Sequence, residues 1–235
     1  MKGLELQIIA HAHNDFVDKF GIPRQPYALS KIETRIVFVP DYRVREALRG
    51  IEGFSYIWLI WGFSAKRTLA GSEAQGKWSP TVRPPRLGGN IRVGVFATRS
   101  PNRPNPLGLS SVRLLRVEET AAEGLVLVVS GADLLDGTPI YDIKPYLSYS
   151  DAHPEAQDGF AGATKDYRLR VEWAKDVLLT EEEKQTLHEI LEQDPRPAYQ
   201  HDSNKEYNVE FATLRVTFRV CDEVLRVERV QRLAR

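Results

Sequence analysis

The sequence predicts a mainly β protein, in which a small antiparallel β-barrel or sandwich precedes a C-terminal α+β appendage. Before Asp151, short apolar stretches alternate with Gly, Pro and Asn turns, a pattern typical of strands. Few of these stretches could form helices that connect parallel strands, which favours an antiparallel barrel or sandwich over a doubly wound sheet. After Asp151 a helical pattern appears, so we expect domains at residues 1–155 and 156–235.

The expected strands of the first domain end at turn residues. They cover residues 4–10, 36–39, 55–61, 91–97, 111–117 and 125–129. Residues 55–61 are continuously apolar and aromatic, so we expect burial on both faces of this strand. Asp41 is placed to cap a short helix that ends at Arg49, with Gly50 just beyond it.

The second domain begins with a helix that has its own start signal. Thr180 and Glu183 form a capping-box pattern, and an apolar stripe follows it. Residues 209–220 predict a long strand with one break in alternation, and a turn at 221–223 leads to a strand at 224–230. Cys221 is expected to be a small core residue.

Positive charge is concentrated in one segment, although the formal net charge of the chain is zero. Residues 74–117 contain no Asp or Glu. The basic residues of this segment are Lys77, Arg83, Arg86, Arg92, Arg99, Arg103, Arg113 and Arg116. Such a segment creates a local field for an anionic ligand, and the alternative is a solvated basic face.

Composition excludes several classes of protein. Hydrophobic residues make up 42% of the chain and charged residues 27%, which indicates a packed core. The single cysteine, Cys221, excludes an internally disulfide-bonded fold. We find neither a secretory leader nor an apolar run long enough to span a bilayer, so we expect a cytoplasmic protein without membrane contact.

Two loops combine Arg, Pro, Gly and Asn, at residues 83–90 and 97–108. Proline lowers the entropy that a loop loses on binding, and glycine lets the backbone approach a ligand. Arginine presents a rigid fork that suits carboxylate and phosphate. We interpret the two loops as a preformed surface for an anion, with an ordinary surface connection as the alternative.

A third segment, DLLDGTPIYDIKPY at residues 133–146, contains three aspartates around an Asp-Gly turn. Asp133 and Asp142 are separated by this turn and could face each other across it. The alternative is a decorated turn in which Asp136 bonds its own backbone.

Two histidines, His11 and His13, follow the first expected strand. His-x-His at a strand end occurs in some metal hydrolases, but a metal site needs further ligands. We therefore expect surface histidines and no metal, and a metal-dependent hydrolase stays an alternative function. The chain has no phosphate-binding Walker pattern, and the glycines at 88–89 precede a strand instead of opening a helix.

Four motifs together resemble the tRNA methyltransferases that methylate N6-threonylcarbamoyladenosine beside the anticodon. They are FGIPRQP (20–26), VRPPRLGGN (82–90), GVFATRSPNRPNPLGLS (94–110) and DLLDGTPIYDIKPY (133–146). A later motif, QDPRPAY (193–199), resembles the C-terminal extension of bacterial members. The resemblance implies a small β-barrel that binds S-adenosylmethionine and acts as a homodimer on the tRNA anticodon stem-loop.

The resemblance also implies the residues of the cofactor site. These are Pro23, Arg24, Gln25, Phe63, Ser64, Arg99, Leu109, Leu135, Asp136, Gly137 and Thr138. Two positions depart from the family pattern. The family often has His at the position of Ser64, and residues 11–14 replace a usual Ser-Pro pair.

The expected reaction transfers a methyl group to a nitrogen that must also lose a proton. Asp142 or Tyr141 is the expected proton acceptor. We expect Arg86, Arg103, Asn105 and Lys144 to contact the phosphates of the anticodon loop and the threonyl carboxylate. An RNA-binding module without catalysis would use the same basic loops and stays an alternative.

Overall fold

The computed structural model describes residues 5–18, 20–22, 32–63, 78–84, 87, 91–196 and 202–234. In this part of the chain the α-helices are α1 (Ser148–Asp151) and α2 (Glu181–Leu191). The strands are β1 (Ala10–His13), β2 (Glu33–Phe38), β3 (Tyr56–Gly62), β4 (Thr81–Val82), β5 (Val93–Gly94), β6 (Leu107–Thr120), β7 (Gly124–Ser130), β8 (Pro139–Pro145), β9 (Arg170–Trp173), β10 (Tyr207–Phe211), β11 (Leu214–Cys221) and β12 (Val224–Arg232). No helix among these residues is long and apolar enough to cross a membrane.

Six strands form a closed antiparallel barrel in the order β1-β2-β7-β6-β3-β8, which confirms the predicted fold class. The ring closes because β8 pairs with β3 on one side and with β1 on the other. Alternate residues point inward, and fully buried side chains such as Ile36, Leu59 and Leu127 fill the interior. A barrel of so few strands is packed with its own side chains, so ligands are met at its rim or outside.

The C-terminal part forms a four-stranded sheet in the order β10-β11-β12-β9, with β9 parallel to β12. Helix α2 packs on this sheet through Leu187, Ile190 and Leu191. The predicted capping box is confirmed, because the Thr180 hydroxyl accepts from the Glu183 amide and the Glu183 carboxylate accepts from the Thr180 amide.

The two parts share a core at the segment that follows β1. Phe16 is fully buried in the C-terminal cluster, and its ring meets that of Phe211 edge-on at 5.3 Å. The Asp15 carbonyl accepts the Ala212 amide at 2.9 Å, and Ile32 joins the same cluster. The first part of the chain therefore contributes to the second core, and the division between residues 155 and 156 stays a prediction.

Three predicted elements are wrong. The strand at 4–10 instead begins at Ala10, because Ala10 and Ala12 are small enough to face the packed interior, whereas Leu6 and Ile8 are exposed. The helix at 41–49 is replaced by two 3-10 turns with no buried residue, Pro40–Tyr42 and Arg45–Leu48. The strand at 91–97 is reduced to β5 and a 3-10 turn, Val95–Ala97.

The other predicted strands are present with altered details. β3 is buried throughout its inner face, whereas its outer face ranges from Tyr56, which is 44% exposed, to the buried Gly62. Residues 209–220 form two strands because the chain turns at Ala212, which has a φ of 50°. Cys221 is exposed at the end of β11, so its predicted place in the core is wrong.

Trp61 on β3 lies opposite Gly108 on β6, and its indole occupies the space where a side chain would lie. A Cβ atom on Gly108 would be 2.2 Å from Trp61 Cε2. Glycine is therefore required here by the packing of the barrel itself.

Gly108→Ala should lower the free energy of unfolding by about 1–3 kcal/mol, because the indole must leave its place in the core. Gly53→Ala is the matched control, since a Cβ atom there meets nothing within 4 Å. Urea titrations of both variants measure the difference, and equal stability of the two would contradict this account of Gly108.

Candidate active site

A chain of hydrogen bonds leads from the barrel interior to a carboxylate at its mouth. Trp61 Nε1 donates to Ser110 Oγ at 3.0 Å, and Ser110 Oγ donates to Asp133 Oδ1 at 2.5 Å. Burial raises the pKa of Asp133, although the Ser110 hydrogen bond and the nearby charge of Arg99 act in the opposite direction. The mouth thus holds a half-buried acid with an arginine close by.

The turn at residues 135–138 lies beside this acid. The amide and hydroxyl of Thr138 both donate to the Leu135 carbonyl, at 3.1 and 2.7 Å. Gly137 has a φ of 74°, a conformation that side chains disfavour. The predicted Asp-Gly turn is therefore confirmed and internally bonded.

Residues 12–16 form hydrogen bonds with the same turn. The amides of Asp136 and Gly137 donate to the carbonyls of Phe16 and Ala12, at 2.9 and 2.8 Å. Asp136 Oδ1 accepts the Asn14 amide at 3.1 Å. Asp136 therefore fastens the turn to this segment, as well as carrying charge.

The two histidines lie within β1 and not after a strand, which corrects the predicted placement. His13 Nδ1 is 3.3 Å from Asp136 Oδ1, so this histidine has a carboxylate neighbour. In the described part of the chain, no three His, Cys, Asp or Glu side chains are grouped so that they could hold a metal ion.

Two further predicted cofactor residues lie near the mouth. Phe63 follows β3, donates its amide to the Pro106 carbonyl at 3.1 Å, and packs its ring 4.3 Å from that of Trp61. Arg99 is exposed and lies close enough to Asp133 to lower the pKa of that acid. The structure thus brings Phe63, Arg99 and the 135–138 turn to one rim.

Arg103 is bonded into its own loop. Its guanidinium donates to the carbonyls of Ser100 at 3.0 Å, Val95 at 3.1 Å and Thr98. These bonds use Nε and one amino group, and the other amino group makes no hydrogen bond to a described residue. Asn105, two residues further on, is exposed.

The remaining predicted residues lie on the outer wall of the barrel. Leu109 on β6 is opposite Ile60 on β3, and Ile60 is opposite Asp142 on β8. Leu109 is 55% exposed. Asp142 accepts the Ile143 amide at 2.9 Å and forms an ion pair with Lys144 at 2.9 Å.

A β-bulge gives Tyr141 its place. The pairing of β3 with β8 shifts between Ile60 and Trp61, which leaves Tyr141 as the extra residue on β8. Its hydroxyl lies over Gly62, where a Cβ atom would be only 2.6 Å away. Tyr141 and Asp142 therefore share the outer face.

The expectation that Asp133 and Asp142 face each other is wrong. Asp133 bonds Ser110 in the inner row of the barrel, whereas Asp142 belongs to the outer row with Lys144. The reason is that β8 begins at Pro139, between the two aspartates, so that Asp142 lies within a wall strand and away from Asp133.

Five predicted site residues lie outside the described residues: Pro23, Arg24, Gln25, Ser64 and Arg86. Conversely, sequence reasoning missed Trp61 and Ser110. A serine between the inward positions Gly108 and Val112 was the available signal, since a buried hydroxyl needs a hydrogen-bond partner.

Two family models match the chain. The model described as the tRNA-methyltransferase O N-terminal domain matches residues 11–152, and the TrmO C-terminal domain matches residues 166–233. The chain belongs to the tRNA-methyltransferase O family. The predicted family resemblance is thereby confirmed across both parts of the chain.

Individual relatives agree with this membership. The chain is 37% identical to the Escherichia coli tRNA (adenine(37)-N6)-methyltransferase over 232 residues, which cover 94% of this chain and 95% of that protein. It is 46% identical to a protein of the same description from Eikenella corrodens, over 71% of this chain and 91% of that one. A crystal structure of TrmO from Pseudomonas aeruginosa superposes with a TM-score of 0.74 at 30% identity, covering 98% of this chain and 100% of the other.

Asp133→Asn should raise the free energy of unfolding at neutral pH. Because burial raises the pKa of Asp133, the folded chain holds this proton more tightly than the unfolded chain. The stabilisation from Asp133 is complete below its unfolded pKa of about 4 and is lost as pH rises through its folded pKa. Urea titrations across pH should therefore show an advantage of the variant at pH 7 that vanishes in acid.

Glu33→Gln provides a control of opposite sign. The hydrogen bond from Arg116, at 2.7 Å, lowers the pKa of Glu33, so its stabilisation is present at neutral pH and is lost as pH falls. This variant should lose less than about 1 kcal/mol at pH 7 and nothing in acid. Parallel pH profiles for the two variants would rule out the assigned environment of Asp133.

Proposed function

We propose that this protein transfers a methyl group from S-adenosylmethionine to N6 of threonylcarbamoyladenosine beside the anticodon of tRNA. The observation that carries the proposal is the match over nearly the full length of the Escherichia coli tRNA (adenine(37)-N6)-methyltransferase. The residues at the barrel mouth are consistent with it. Since tRNA is the substrate, the proposal includes a cytoplasmic location, and residues 1–155 as the cofactor-binding domain.

The charges at the mouth fit the cofactor. S-adenosylmethionine carries a carboxylate, an ammonium group and a sulfonium whose methyl group is open to attack. Arg99 is exposed and makes no hydrogen bond or ion pair with a described residue, so its fork is available for the carboxylate. Asp133 and the carbonyl-rich turn at 135–138 supply negative charge close by.

The side chains of the protein contribute to the reaction by aligning the substrate and by accepting a proton. The target nitrogen attacks the methyl carbon in line with the departing sulfur, so alignment supplies much of the acceleration. We propose Asp142 as acceptor of the proton that the nitrogen loses, with Tyr141 beside it. Lys144, 2.9 Å from Asp142, is placed to contact the threonyl carboxylate or a phosphate.

The remaining tRNA contacts come from the two loops of the basic segment, at residues 83–90 and 97–108. Asn105 is exposed, and Arg103 keeps one amino group for a phosphate while the rest of its guanidinium orders the loop. Arg86 completes this proposed set.

A homodimer is part of the proposal, because a second subunit would bury apolar side chains that are exposed on the outer wall of the barrel. Leu109 and Leu107 are exposed there, in the rows that also carry Ile60 and Asp142. A ligand that contacts Leu109 stays open to water unless a second surface closes over it. Sedimentation should give twice the chain mass of 26.7 kDa, and a fully active monomer would exclude this arrangement.

The substrate assignment predicts a strict dependence on the existing modification. Labelled S-adenosylmethionine should methylate tRNA that carries threonylcarbamoyladenosine, and leave the unmodified transcript without label. Nucleoside mass spectrometry should locate the new methyl group on N6. Equal labelling of both tRNAs would refute the assignment.

The proposed base predicts a defined kinetic defect. Asp142→Asn keeps the side-chain shape and should lower kcat by roughly 10²-fold with little change in the KM for tRNA. Asp133→Asn is the comparison, because it removes the other carboxylate near the site. If Asp142→Asn turns over at the wild-type rate, Asp142 is not the base.

A further inference from the structure

Two aromatic rings face solvent within the basic segment, residues 74–117. Phe96 is 75% exposed and Trp78 is 45% exposed, and their centroids lie 5.6 Å apart with an interplanar angle of 39°. Single exposed apolar residues are common on protein surfaces, but two large rings exposed side by side form a contiguous apolar surface of the kind that marks interaction sites. The pair therefore forms an aromatic platform, here defined as Phe96 with Trp78.

The backbone beneath the platform is firmly held. Val95 is buried, its amide donates to the Pro80 carbonyl at 2.9 Å, and its carbonyl accepts from Arg103 and from Thr98. The ring of Phe96 is consequently presented to solvent by a fixed turn. A fixed ring loses little entropy when a ligand stacks on it.

The charge around the platform indicates what that ligand is. The described residues of this segment include no acid, and two exposed arginines, Arg92 and Arg99, flank Phe96. Arg92 is bonded to Thr81 and Ser79 and so is held beside the platform. Exposed aromatic rings among fixed arginines suit single-stranded RNA, whose bases stack on the rings while phosphates meet the cations.

We propose that the Phe96–Trp78 platform stacks an unpaired nucleobase of the tRNA anticodon loop. Phe96 is three residues before Arg99, so the stacked base would lie next to the proposed cofactor site. This inference rests on the proposed function for the identity of the RNA. It adds a recognition element that acts through base stacking, separate from the phosphate contacts of the loop.

The test replaces the ring while keeping its apolar bulk. Phe96→Leu and Trp78→Leu should each raise the KM for tRNA about tenfold, equivalent to about 1.4 kcal/mol. Phe96→Tyr keeps a ring and should stay close to wild type. Tyr149→Leu, which removes another exposed aromatic ring, is the control for general surface effects.

Two further measurements separate the explanations. Calorimetry with S-adenosylhomocysteine should give equal affinities for wild type and Phe96→Leu, and titration of an anticodon stem-loop RNA should reproduce the tenfold loss without any reaction. Equal RNA affinity of Phe96→Leu and Phe96→Tyr would overturn the proposal. A change in the sedimenting mass of Phe96→Leu would also overturn it, because it would show that this surface lies between copies of the chain. Failure of wild-type protein to methylate tRNA would instead count against the proposed function.

Discussion

Closure of the six-stranded ring is the constraint on which the candidate site depends. β8 closes the ring by pairing with both β1 and β3, and the interior is filled with the protein's own side chains. Chemistry must then take place at the mouth or on the wall. The charged residues of the candidate site lie in those two places, with Arg99 and Asp133 at the mouth and Asp142 on the wall.

Two neighbouring carbonyls join the barrel to the C-terminal core. The Asp15 carbonyl accepts the amide of Ala212, and the Phe16 carbonyl accepts the amide of Asp136 in the 135–138 turn. The ring of Phe16 is meanwhile buried against Phe211. Asp15 and Phe16 thus connect the C-terminal unit directly to the 135–138 turn. In this respect the C-terminal unit differs from a domain that is joined only by a flexible linker.

Sequence reasoning succeeded where a local pattern determines the structure. The capping box at Thr180 and the turn at Gly137 depend on residues a few positions apart, and both are present. It failed where a partner distant in sequence decides the outcome. The segment at Asp41 buries no side chain and does not form the expected helix. The strand expected at 91–97 ends before Val95, whose carbonyl accepts a hydrogen bond from Arg103.

The same limit applies to the site residues. Glycine in the loop at 97–108 is expected to let a ligand approach the backbone, yet the group that lies against Gly108 is the indole of Trp61. Arg103 has no acidic neighbour in sequence, but backbone carbonyls satisfy most of its donors. The partnership of Ser110 with Asp133 joins residues 23 positions apart and becomes visible only when the barrel closes.

The exposed thiol of Cys221 makes the protein convenient for spectroscopy. It is the single cysteine of the chain and lies at the end of β11, where the strand turns at Asp222. A fluorescent or spin label can therefore be attached at one known position without replacing any other residue. In a two-fold assembly the paired labels would report one distance between subunits, which could be followed as tRNA binds.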